Sequence, residues 1–150
     1  MVLAIATICE SIAALDVEGV KMRDLDEIPE EVLARECPVI FPRPDGFISS
    51  FAVERDSFGG GSTAKMTATY VLTYRFLQAP VASGRGLFEV YNKMVINAFA
   101  FLDAVIAVDV MSGLIDIQVN NTLNFGPVSD PAGNIFHGCD IELQVMEFIN

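Results

Sequence analysis

The chain predicts an α+β domain: a mostly antiparallel sheet with a long central helix and an N-terminal helix packed on one face. Three observations carry that prediction. From Met66 onward the even positions Met66, Ala68, Tyr70, Leu72, Tyr74 and Phe76 are apolar or aromatic, and Thr67, Thr69, Thr73 and Arg75 fall between them. A period of two in a stretch rich in Thr, Tyr and Val belongs to a half-buried strand, because successive side chains leave opposite faces of a pleated backbone. Over 87–106 the apolar residues recur every three or four positions instead, as on a helix. Beyond Gly113 the alternation returns, in Ile115, Ile117 and Val119 and again in Cys139, Ile141, Leu143 and Val145. Strands grouped on either side of one long helix give an antiparallel sheet with its helices on one face.

The first element is an amphipathic helix within 2–15, with Ile5, Ile8, Ile12 and Leu15 as its buried stripe. In the acidic stretch "DLDEIPEEVLARE", Pro29 suits a first helical position and Glu30 and Glu31 suit the positive end of a helix. One short turn is expected over 29–35. "CPVIFPRPDGF" holds Pro38, Pro42 and Pro44, which cannot donate to a central ladder, so it reads as an extended edge or crossing segment. Such a stretch can also be an arm lying on a neighbour, which makes Phe41 and Arg43 interface candidates. "GFISSFAVER" is the hairpin partner of the strand that starts near Met66. The long helix has only a narrow polar stripe, Glu89, Lys93 and Asn97, and so calls for cover from the sheet and from a second side. That second cover is either the N-terminal helix or another subunit. "VMSG" ends the helix, a strand runs from Ile115 to Phe125, and "GPVSDPAGN" is a loop. The last strand keeps its alternation to Val145 and slips phase at Met146 and Phe148.

At 150 residues the chain is a single domain, 1–150, large enough to bury a core. It is nonetheless 52% hydrophobic, with a mean hydropathy of +0.45. The longest apolar run, 94–108, is broken by Asn97 and Asp103 and is shorter than the ~20 residues that cross a bilayer. The N-terminal stretch has no basic start and meets Glu10 early, which fits a signal peptide badly. The apolar surplus is therefore assigned to subunit interfaces, with no membrane role. A net charge of −11 repels nucleic-acid backbones and disfavours a DNA- or RNA-reading function. Cys9, Cys37 and Cys139 are scattered with no CxxC pair, as expected of reduced thiols in a cytoplasmic setting.

"DSFGGGSTAK", 56–65, has the composition of a phosphate loop but not its order. Ala64 precedes Lys65, Met66 stands where Ser or Thr is needed, and a strand follows in place of the helix whose N-terminus completes an anion site. The stretch reads as a mobile hairpin tip, and Gly59, Gly60 and Gly61 become candidates for ordering against a partner. Arg85, in the loop 78–86, is either an exposed loop residue or a salt-bridge donor across a subunit contact. His137 and Cys139 share the strand face filled by Ile141 and Leu143, and their spacing matches no zinc pattern, so they read as core positions. No GxSxG nominates a nucleophile, and the carboxylates of 24–31 read as a solvated face. No catalytic residue, metal ligand or cofactor site is assigned.

The layout as a whole resembles the tail terminator proteins, small neck-region proteins of long-tailed bacteriophages. The residues that carry the resemblance are the opening helix, the Pro-flanked "CPVIFPRP" and the hairpin with a Gly-rich tip that ends in "YVLTYRFL". After the central helix come "VMSGLIDIQV" and the closing "GNIFHGCDIELQVME", where Phe136, Gly138, Cys139 and Ile141 match an aromatic–x–Gly–small–x–aliphatic strand. The resemblance implies a non-enzymatic virion protein, assembled in the host cytoplasm as a ring, usually a hexamer, that caps the tail tube. Its partners would be further copies of itself, the tail tube protein and the head–tail connector protein. DNA would pass through the lumen without specific binding. An acidic lumen repels DNA and lets it slide, which makes Asp24, Asp26, Glu27, Glu30 and Glu31 lumen candidates. Another neck or tube subunit, a small enzyme or ligand-binding domain using the open sheet face, and an accessory protein with a basic partner are the competing readings.

Overall fold

The computed structural model describes residues 4–55, 66–81, 87–108, 115–119 and 122–149. It is an α+β domain built on a mostly antiparallel sheet. Two long strands form the middle of that sheet. β4, Met66–Pro80, runs antiparallel to β7, Ile135–Ile149, along nearly its whole length, from Met66 opposite Ile149 to Pro80 opposite Phe136. The other edge of β4 is shared by β2, Val39–Pro42, and β3, Ile48–Arg55. The other edge of β7 is shared by β5, Ile115–Val119, and β6, Gly126–Ser129. β1, Lys21–Met22, lies outside β2 and is parallel to it.

The alternation read in β4 is the structural one. Ala68, Tyr70, Leu72, Tyr74 and Phe76 are buried in the main core with Cys139, Ile141, Leu143 and Val145 of β7. The helices α1, Ile5–Ala13, and α2, Leu87–Ile106, add Ile8, Ile12, Met94 and Phe101 to the same core. Ile5 and Leu15 close the ends of the α1 stripe as half-buried residues. Burying one large aliphatic or aromatic side chain contributes ~1.5–3 kcal/mol, so this cluster outweighs any single polar contact in the fold. A smaller cluster, Val32, Val39, Phe41, Leu77 and Phe136, forms apart from it.

Four expectations are corrected. First, 29–35 is not one helical turn: short 3₁₀ turns form at Leu25–Glu27 and Ala34–Glu36, either side of Pro29. Asp24 caps the first, accepting from the Leu25 N–H at 2.6 Å, while Glu27 accepts from the Asp24 N–H at 3.1 Å. A capping residue with a complementary carboxylate three positions on fixes a helix start more firmly than Pro29 does. Second, the proline-rich segment is not an edge. β2 is wholly buried between β1 and β4, because Pro38 precedes the strand and Pro42 ends it, leaving Val39–Phe41 free to pair. Phe41 thus has no surface to offer a neighbour. Third, "GPVSDPAGN" contains a strand, β6, while the strand expected to reach Phe125 stops at Val119 among the described residues. Fourth, β7 does not slip phase at Met146: Glu147 holds the inward position and is 4% exposed. Its Oε1 accepts from the Ala4 N–H at 2.7 Å, at the start of α1.

Candidate functional site

Among the described residues four strands have a single neighbour, the short β1 and β6 and the longer β3 and β5, and the last two are unlike one another. Among the described residues β3 pairs only with β4, and β5 only with β7, so each presents a row of backbone donors and acceptors without a described partner strand. On β3 a bulge decides what that edge displays. Ser50 has φ 52°, in the left-handed region, and the register slips between Ser49 and Ala52. Without the extra residue Ile48 would share a face with Ser50 and Ala52. With it, Ile48 lies across from Leu72 and Val53 from Ala68, while the Phe51 ring stacks on Tyr70 at 5.3 Å and 11°. The bulge thereby gathers Ile48, Phe51 and Val53 on one face, where they remain 43%, 46% and 50% exposed. The strand expected over "GFISSFAVER" spans these residues, but nothing in the sequence marked them as uncovered.

Away from the main core, Asp140 of β7 accepts from two arginines. Arg75 Nε and Nη2 donate to it at 2.8 and 3.0 Å, and Arg43 Nη1 donates at 3.0 Å. Burial by itself raises the carboxyl pKa, but the hydrogen bonds and charge of Arg75 and Arg43 outweigh it and hold Asp140 below the usual carboxylate range. Arg43 also donates to the Asp45 and Gly46 carbonyls, and Arg75 to that of Ser129. Arg43, expected to meet a neighbour, is thus engaged within its own chain, and this cluster ties the β2–β3 turn to the sheet. The sequence made Arg43 a candidate but did not mark Asp140.

Among the lumen candidates, Asp26, Glu30 and Glu31 are exposed, and Asp24 and Glu27 serve the capping box. Glu31 also accepts from Asn134 Nδ2 at 3.4 Å, which brings this acidic segment against the β6–β7 turn. A second carboxylate fixes that junction: Asp130, 3% exposed, accepts from the Val32 N–H at 2.9 Å and from the Asn134 N–H at 2.8 Å. Gly59, Gly60, Gly61 and Arg85 lie outside the described residues.

The thiols are poorly suited to nucleophilic chemistry. Burial raises the pKa of Cys9, and it pushes Cys37 up to about 11 and Cys139 up to about 12. His137 is half-buried against Tyr91, ring centres 6.1 Å apart, and its buried Nδ1 has no hydrogen-bond partner among the described residues. Among the described residues no three metal-binding side chains converge. A cavity of about 400 Å³ lies where α2 meets the end of β4, lined by Cys37, Pro38, Gln78, Pro80, Lys93 and Asn97. Asn97 Nδ2 donates to Gln78 Oε1 there at 2.9 Å.

No family model matches the chain, and no curated protein matches it.

Proposed function

We propose that this chain is a structural ring subunit, a tail-terminator-like protein at the head-proximal end of a phage tail. The carrying observation is the pair of unlike open edges, β3 with its exposed apolar ledge and β5. A closed ring needs a heterologous contact, in which one face of each copy meets a different face of the next. The ledge of β3 and the edge of β5 supply two such faces on a single sheet. In this reading α1 and the long α2 form one layer on one side of the sheet, the ring has six copies, and its rims meet the tail tube protein and the head–tail connector. Exposed Asp26, Glu30 and Glu31 line the lumen, where their charge keeps passing DNA from sticking. The protein makes and breaks no bonds and takes no cofactor. It acts in the virion, after assembly in the host cytoplasm.

The test is a tube-growth assay with the tail tube protein of the native assembly. Added chain should halt elongation, and Phe51→Asp or Val53→Asp should abolish that effect while leaving the fold intact. Chain that polymerises alone into tubes would instead make it a tube subunit. A second reading has one observation in its favour: the cavity beside Gln78, Lys93 and Asn97 has the size of a small-ligand site and converging amides. A thermal-shift screen with small polar metabolites tests it. Saturable stabilisation abolished by Asn97→Leu would favour this reading over the ring.

A further inference from the structure

The outward side of α2 is unusually apolar for a face that none of the described residues covers. Phe88, Ile96, Phe99 and Ile106 are 86%, 58%, 64% and 66% exposed. At ~200 Å² for a large side chain, these four leave on the order of 500 Å² of apolar surface in water, at the upper end for a monomer. The exposed polar residues of α2 are Glu89, Asn92, Lys93 and Asp103, and Glu89 falls level with the partner's Ala107 in the pairing below. Lys93 and Asp103 are both exposed, and neither forms an ion pair among the described residues.

We infer that this face pairs with the same face of a second copy, the two α2 helices crossing antiparallel about a two-fold axis level with Ala98. The charges set that register. Ten residues separate Lys93 from Asp103, ~15 Å along a helix, and Ala98 lies midway. An axis at that level brings each Lys93 beside the partner's Asp103, because the same flanks of two antiparallel helices meet. At this register Ile96 also falls against the partner's exposed Ala100, large against small, and the two Phe99 rings meet ~3 Å apart along the axis. The stripe supplies most of the ~800 Å² per partner that a specific interface requires, and its flanking side chains supply the rest. A contact with another protein would not explain why the charges are self-complementary.

The pairing uses α2 and leaves the β3 ledge free, so it stands or falls separately from the ring reading. It is tested on the free chain by size exclusion with light scattering across a concentration series. The wild-type chain is expected to dimerise. Phe99→Asp should be monomeric, with the melting temperature that the wild type shows when diluted below its dimer dissociation constant. Lys93→Glu and Asp103→Lys should each weaken the dimer about tenfold, and the double exchange should restore it. A wild-type chain that stays monomeric at ~100 µM would overturn the inference, as would a dimer indifferent to Phe99→Asp or a double exchange no tighter than the single ones. An assembly lost on Val53→Asp but not on Phe99→Asp would also overturn it, and would place the contact at β3.

Discussion

Gly138 shows how one residue can carry a resemblance for reasons that belong to folding. A Cβ at this position would land on the backbone carbonyl oxygen of Phe76 and press on Val128 Cγ2. A backbone oxygen has no rotamer to change, so the strand itself would have to move. Gly138→Ala is expected to cost about 3 kcal/mol, a fall of roughly 10 °C in melting temperature by calorimetry. The glycine of the closing strand, which stood out in the sequence, is thus required by the β4–β7 pairing itself. Asp130 is the opposite case. Its carboxylate is buried and held by N–H donors, one of them from Val32, and no local pattern announces a partner so distant along the chain. Asp130→Ala should lose about 2–3 kcal/mol, measured by urea unfolding, since it strips charge-assisted bonds and leaves buried N–H groups unpaired.

Among the elements, those whose burial is set by a single period were legible. β4, α1 and α2 were all readable as elements, α2 over Leu87–Ile106. Elements decided by distant partners were not. β2 looked like an edge because prolines punctuate it, yet β1 and β4 pair with the three residues between them. The end of β7 looked out of phase because a carboxylate holds an inward position, and only the start of α1, far off in sequence, explains it. Likewise the alternation of β3 gave a strand, while the bulge at Ser50 that brings Ile48 onto the face of Phe51 and Val53 was invisible. That bulge has its own test. Glycine adopts a positive φ freely, so Ser50→Gly should melt no lower than the wild type, while Ser50→Val should lose about 1–2 kcal/mol. A Val variant as stable as the Gly variant would mean that the bulge does not constrain this strand.

For the molecule as a whole, charge sets the response to pH. Asp130 and Asp140 both have pKa values lowered by folding: hydrogen bonds outweigh the opposing effect of burial, joined at Asp140 by two arginines. A carboxylate with a depressed folded pKa adds stability that is complete above its unfolded pKa of about 3.9 and is lost as pH falls through the folded value. The melting temperature is therefore expected to change little through these two groups above pH ~5 and to drop below pH ~4. Asp140→Asn should flatten that acid limb. The same chain carries a net charge of −11, and this excess is the property of the ring reading that matters most for DNA. The ring reading rests on the unlike edges of β3 and β5 and on the apolar ledge of β3. The most direct measurement of that claim is electron microscopy of native particles, with this chain labelled and the images averaged. The account predicts a single ring of label, six copies in number, at the head-proximal end of the tail. Label spread along the tube, or particles that lack the chain, would contradict it.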